Sequence, residues 1–349
     1  MLKQSLHHTF QRYRTLQTDR IFALPVLILM PHSSCNCKCL MCDIWKDNKN
    51  LKQLSEADVE ALLTSLRKFG TKQVVMSGGE ALLHSKFFQL CDILQKNSIK
   101  ITLLSTGLSL QKNAEQILKY IDEIIISLDG NQPVHDQIRA VPNAYKKLKE
   151  GVQYLKSLKP HYRITARTVI HKLNFKHWAS IVDSAKEIGL DQISFLPADV
   201  SSEAFNRQTA WNEPRQLEIL PGKDELEEFK KSIENLVRYY TSDFESGFIA
   251  ESPEKIQKIY AHYAASHSLS SFPQKKCNAP WVSAVIEADG AVKPCFFHKT
   301  LGNIKEDSFE FILNSEKAIH FRKNLNVATD HTCLKCVCYL NLPPYASLQ

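Results

Sequence analysis

No stretch of this sequence is long and apolar enough to cross a bilayer. The longest apolar run, Ile21 to Met30, is interrupted by Pro25 and reaches half of the roughly 20 residues a spanning helix needs. The opening segment, MLKQSLHHTFQRYRTLQTDR, lacks the apolar stretch of a secretory signal, and its His7 and His8 carry no metal-site spacing. Charge of one sign is also scarce. The net charge of +7 is mild, and the basic residues are scattered rather than gathered into a nucleic-acid-binding arm, which leaves a modest preference for anionic ligands. Solenoid repeats and low-complexity tracts are missing. The expectation is a cytosolic protein with neither membrane nor nucleic-acid partner, in a compartment where thiols stay reduced and clustered cysteines bind metal.

A chain of 349 residues can bury roughly three quarters of its unfolded surface and folds without disulfides. From residue 21 to about 200, apolar strand-like runs alternate with helix-period segments. The strands are expected at 23–30, 72–77, 100–106, 122–128, 163–170 and 191–196, β-branched and nearly unbroken in hydrophobicity, as strands covered on both faces should be. Ser55 should cap the first intervening helix, with Gly70 at its stop, and Asn174 a later one ending at Gly189. Six β-α units in series predict an α/β fold, a partial (β/α)6 barrel with a parallel sheet and right-handed crossovers. A small α+β module should follow. The boundaries read as an extension (1–20), the barrel (21–210), a helical connection (211–267) with an apolar stripe from Leu226 to Tyr240, and the second module (268–349). That module shows a hairpin turning at Asp289-Gly290 and a helix around 308–322.

The ten cysteines are distributed unevenly: four between 35 and 42, five from 277 onward, and Cys91 alone. Cys91, among Phe87, Phe88 and Leu94 at helical spacing, reads as a core thiol. In SSCNCKCLMCDIW, either Cys35, Cys39 and Cys42 form C-x3-C-x2-C with Cys37 as a bystander, or all four close one site. A C-x3-C-x2-C loop can give a [4Fe–4S] cube three thiolates and leave the fourth iron free. Zinc prefers four ligands, usually in separated pairs, and remains the rival. The loop follows the first strand, at the end of the barrel where chemistry gathers. The second strand ends in MSGGEALL, where Gly78 and Gly79 permit close approach of a ligand to backbone and Glu80 offers a carboxylate.

These residues, with SLDG at 127–130 after the fourth strand, resemble the radical S-adenosylmethionine (SAM) enzymes. The resemblance spans about residues 20 to 200. It implies a [4Fe–4S] cluster on Cys35, Cys39 and Cys42 whose open iron is chelated by SAM. It further implies reductive SAM cleavage to a 5′-deoxyadenosyl radical that abstracts hydrogen from substrate, with an electron donor such as a flavodoxin or ferredoxin as partner. By the same resemblance Gly78, Gly79 and Glu80 meet the amino end of SAM, Met41 lies near adenine and Ser127 near ribose. Thr106 and Leu196 sit at strand ends facing the same cavity or in plain barrel packing, and Arg167 is either a carboxylate contact or an outward-facing arginine.

Cys277 and Cys295, in a C-x12-G-x4-C spacing, together with Cys333, Cys336 and Cys338 supply at least four thiolates. They resemble the twitch or SPASM domains that carry auxiliary clusters. The expectation is one auxiliary [4Fe–4S] cluster on Cys277, Cys295, Cys333 and either Cys336 or Cys338, with zinc as the alternative. His298, close after Cys295, either guards or ligates a cluster or is a surface histidine, the reading preferred. Asp199, Glu203, Asn206 and Arg207, after the last barrel strand, should border the substrate cavity. No strand-rich module is visible before the barrel, which favours a small-molecule substrate (a sugar, nucleotide or cofactor precursor). Maturation of a ribosomally made peptide is the alternative, and a zinc-stabilised binding protein without catalysis stands as the competing class.

Overall fold

The computed structural model describes residues 2–207 and 209–346. Six strands run parallel and in sequence order: β1 (Val26–Leu29), β2 (Gln73–Met76), β3 (Lys100–Ser105), β4 (Glu123–Ser127), β5 (Ile164–Ile170) and β6 (Gln192–Pro197). Every expected strand is present within three residues at each end. The first helix is α1 (Leu2–Thr18). Between the strands lie α2 (Glu56–Lys68), α3 (Phe87–Gln95), α4 (Ala114–Tyr120), α5 (Gln132–Arg139), α6 (Ala144–Leu158) and α7 (Trp178–Ile188).

The strand runs look uniformly apolar because both faces are used. On β4, Ile124 and Ile126 are fully buried, alternating with the half-buried Ile125 and Ser127, which line the central cavity. Near the N-terminal ends of the strands that second face is polar and self-satisfied. Gln73 donates to Thr102 at 2.7 Å, Thr102 to Glu123 at 2.9 Å, and Arg163 pairs with Glu123 at 3.3 Å. This row occupies the barrel floor, so the open space lies at the C-terminal ends of the strands. Outside, α7 sets Trp178 against Phe195 and Phe229, with centroids 5.2 and 5.7 Å apart, each pair adding about 1 kcal/mol beyond burial.

The barrel does not close. β1 pairs instead with β7 (Ser283–Ile286), in parallel, and β8 (Ala291–Lys293) and β9 (Gly302–Asn303) extend the sheet antiparallel to nine strands. The C-terminal hairpin therefore continues the barrel sheet. Its turn needs Gly290, at φ +91°, where a Cβ would stand 2.5 Å from Asn303 Oδ1. The opposite edge, β6, is covered: Ile193 N–H donates to Phe248 O at 2.8 Å and Phe195 N–H to Glu251 Oε2 at 3.0 Å. Helices at Leu226–Tyr239 and Pro253–Ser266 form the wall on that side, with the predicted stripe Leu226, Phe229, Ile233 and Leu236 buried.

Ser55 caps α2 in a reciprocal box with Asp58, and Gly70 follows the helix at φ +61°, both as the sequence predicts. Two local expectations are corrected. Asn174 does not cap α7; it accepts from His171 N–H and donates to Asp129 O and Val169 O, tying the β4 and β5 loops together. The helix expected at 308–322 is two helices, Phe309–Asn314 and Glu316–Asn324, because Ser315 turns extended and caps the second.

Candidate active site

The loop carrying Cys35, Cys39 and Cys42 is held by its backbone before any ligand enters. Asn48 accepts from Cys35 N–H at 3.0 Å and donates to Cys35 O at 2.9 Å. Lys38 N–H donates to Arg139 O, and the Trp45 indole to Cys39 O. The β2 loop grips the same segment. Glu80 N–H donates to Ser34 O at 2.9 Å, and a Cβ on Gly79 would stand 2.1 Å from that oxygen. Only glycine lets the two loops approach so closely. Gly78, at φ +108°, adds a left-handed turn.

Cys35, Cys39 and Cys42 all line a cavity of about 270 Å³ at the C-terminal ends of the strands. Cys37 does not line it; its buried thiol donates toward Cys35 and Cys39. That donation pulls Cys39 down to about 7 against the opposing effect of burial, with the Arg139 charge adding to it. Cys42, half-buried, is pushed up to about 12 by desolvation against a hydrogen bond from the Ile44 backbone.

Met41, Gly78, Gly79, Thr106, Ser127, Arg167 and Leu196 line the same cavity, so Arg167 faces inward. Glu80, expected at the cofactor's amino end, does not. Its carboxylate is fully buried behind the wall and accepts from Thr106 N–H at 2.7 Å, Thr106 Oγ1 at 2.6 Å and Ser105 Oγ at 3.0 Å. Burial raises its pKa against these hydrogen bonds. Glu80 thus ties the β2 loop to the β3 loop through Ser105 and Thr106. Asp199 borders the cavity, whereas Glu203, Asn206 and Arg207 line a neighbouring opening of about 240 Å³ that shares Ile44, Gly78, Gly79, Phe205 and Phe296 with it.

Two features escaped the sequence reading. Arg139 lines the cavity, donates to Cys39 Sγ at 3.4 Å and is locked to Asp129 of the SLDG segment at 2.6 Å. Burial opposes its charge, but Asp129, Cys39 and Cys37 outweigh that and hold the guanidinium protonated. The cavity roof is aromatic, made by Phe205, Phe296 and Phe297 from two distant segments.

The second thiol group also assembles. Cys277, Cys295, Cys333, Cys336 and Cys338 lie close enough to influence one another's ionisation. Asn278 ties the Cys277 segment to the tail through Leu340 O at 2.8 Å and Leu342 O at 2.9 Å. Burial pushes Cys295 up to about 11, even though the backbone of Phe297 and His298 hydrogen-bonds its sulfur. Cys336 Sγ donates to Cys338 O at 3.0 Å, and exposed Cys338 reaches the central cavity wall. His298 is not a free surface group: Nε2 lies 3.4 Å from Cys333 Sγ and 3.8 Å from Asp330. Cys91 is a core thiol.

Both donor sets fit iron–sulfur chemistry. The first offers three cavity-facing sulfurs on a pre-held loop, and the second offers more than four thiols from three segments.

Comparison with known proteins agrees. The model of the Radical SAM superfamily matches residues 29–185, and that of SPASM, an iron-sulfur cluster-binding domain, matches residues 277–337. The antilisterial bacteriocin subtilosin biosynthesis protein AlbA of Bacillus subtilis is 27% identical over 80% of this chain, which spans only 57% of AlbA's length. Fe-coproporphyrin III synthase of Methanosarcina barkeri is 23% identical over 89% of this chain and 80% of its own. The fold is shared with Streptococcus suis SuiB bound to precursor peptide SuiA, at TM-score 0.64 and 14% identity, covering 93% of this chain and 72% of that one. Among the described residues, no helix is long and apolar enough to cross a membrane.

Proposed function

We propose that this chain, a radical SAM protein with a C-terminal SPASM domain, is a maturase that modifies a ribosomally made peptide by hydrogen abstraction. The observation that carries the chemistry is the separation of Cys37 from the cavity, which leaves three sulfurs, Cys35, Cys39 and Cys42, around an open site. A [4Fe–4S] cluster held by Cys35, Cys39 and Cys42, with SAM on its open iron, would supply the one-electron reductive chemistry that starts hydrogen abstraction. The protein's own part is positioning and exclusion. Gly78 and Gly79 expose backbone to the amino end of the cofactor, and Arg139 sets a guanidinium toward its carboxylate while also facing Cys39. Ser127 and Met41 border the nucleoside. Phe205, Phe296 and Phe297 keep water from the reacting carbon.

The auxiliary [4Fe–4S] cluster would be held by Cys277, Cys295, Cys333 and Cys336. Cys336 is preferred over Cys338 because it sits among Cys333, Cys295 and Lys275, whereas Cys338 turns to the central cavity. The peptide reading is supported by AlbA's role in bacteriocin biosynthesis and by the precursor peptide seen on SuiB. It is preferred to the small-molecule expectation. A small-molecule substrate stays in view through the synthase that matches this chain over most of both lengths. Anaerobic reconstitution with SAM, a reductant and candidate precursor peptides tests the reading. 5′-Deoxyadenosine together with a mass change in one peptide is expected; SAM cleavage coupled to a metabolite and to no peptide would overturn it.

A further inference from the structure

A second cavity, of about 190 Å³, lies behind the central one on the β6 side and shares with it Arg167, Leu196, Pro197, Val337 and Cys338. Its charge is lopsided. Arg167, Lys255, Lys258 and Lys275 line it against a single carboxylate, Glu251. That carboxylate accepts the β6 edge N–H of Phe195 at 3.0 Å and feels the charges of Arg167 and Lys255 without contacting either within 4 Å. Lys275 is committed to Leu334 O at 2.7 Å. Arg167, Lys255 and Lys258 have no ion-pair partner within 4 Å among the described residues, although fifteen other lysine or arginine side chains do. His262 on the same wall is 4% exposed, and its Nδ1 has no hydrogen-bond partner.

Lys255 and Lys258 reach the cavity from the exposed side of their helix and Arg167 is half-buried, so their like charges converge on one small space without a counter-charge in contact, which favours an anion there. The cavity has room for a carboxylate or a phosphoryl group. We infer that this cavity is the anion subsite of the substrate: a carboxylate or phosphoryl group docks on Arg167, Lys255 and Lys258 while the reacting carbon lies in the central cavity. The inference rests on reading the central cavity as the reaction chamber, and it adds the chemical class of what enters. In a peptide the anion would be an acidic or phosphorylated side chain close to the modified residue. Lys255 and Lys258 belong to the helix at Pro253–Ser266, away from the thiol loop and the β2 glycines, so they can be changed without touching the cofactor site.

The test uses the reconstituted full chain with SAM bound, titrated calorimetrically with succinate and with inorganic phosphate. At least one is expected to bind, about tenfold or more weakly in Lys255→Gln/Lys258→Gln, while substrate-free 5′-deoxyadenosine release stays at the wild-type rate. Preference for succinate assigns a carboxylate, and preference for phosphate a phosphoryl group. Lys299→Gln/Lys317→Gln, on another basic surface, should leave binding unchanged. The inference is overturned if neither anion binds, if Lys255→Gln/Lys258→Gln binds as the wild type does, or if the two double variants weaken binding equally. A wild-type protein that makes no 5′-deoxyadenosine defeats the proposed function instead, and calorimetry still decides the subsite.

Discussion

The two thiol groups of this protein are built on opposite plans. The first occupies one short loop whose backbone is fixed by Asn48, by the β2 glycines and by Arg139, and its sulfurs face a cavity. The second is gathered from three segments between residues 277 and 338, whose thiols lie close enough to influence one another's ionisation. A short loop cannot surround a cube, so it leaves one corner open for a ligand. Separated segments can surround one and close it. The difference also lies in what fixes each group. Local backbone contacts define the first, whereas the second depends on the chain returning over a distance.

The sharpest break of this comparison is at Gly79. In Gly79→Ala the new Cβ meets backbone at 2.1 Å, which no side-chain rotation relieves, so the thiol loop must move. 5′-Deoxyadenosine formation is expected to fall more than about 100-fold, as displacement of reacting groups by about 1 Å does. Iron should drop from about eight to about four per chain, since the second group does not use this contact. Iron analysis and product chromatography check both. Retention of all the iron with normal turnover would show that the loop tolerates displacement and that its grip is not structural.

How much of this was legible in the sequence follows the same division. The six strands were readable because parallel strands covered on both faces are continuous apolar runs. The three thiols were readable because their spacing is local. Arg139 was not, being one cation among 44 Lys and Arg residues on a polar helix. The available signal was Asp129, a carboxylate inside an apolar strand end that demanded a cation nearby. The aromatic roof joins Phe205 to Phe296 and Phe297 across some 90 residues of chain, and no periodicity marks such a contact. The direction of Glu80 was not legible, because sequence shows a carboxylate after two glycines but not which way it turns. The three donors of Ser105 and Thr106 turn it inward.

Arg139→Gln gives the next largest effect, and it separates stability from cofactor contact. The substitution leaves Asp129 fully buried without its cation, a loss of about 3–5 kcal/mol on chemical denaturation. Arg139→Gln/Asp129→Asn removes both charges and should recover much of that stability. SAM affinity should stay low in both, because the guanidinium facing the cavity is gone. Recovery of SAM binding in the double variant would reduce Arg139 to a structural ion pair. A smaller effect is expected from Cys295→Ala: about four irons lost, with substrate-free SAM cleavage kept within about twofold, as for sites that share no ligand.

The smallest effect should come from Cys37→Ala, and it bears most directly on the open corner. Cys37 is buried 1% exposed, off the cavity, with its thiol donating toward Cys35 and Cys39. As a donor it contributes about 1 kcal/mol, so its removal should alter 5′-deoxyadenosine formation by no more than about fivefold and leave iron content unchanged. Cys42→Ala, on the cavity side of the same loop, should abolish both the first cluster's iron and the activity. The sulfurs are only a few positions apart in sequence, and what distinguishes them is the side of the loop they occupy. If Cys37→Ala cost as much iron as Cys42→Ala, four sulfurs would close the first site as they close the second. The contrast between the two groups, and the room for a ligand at the first, would then disappear.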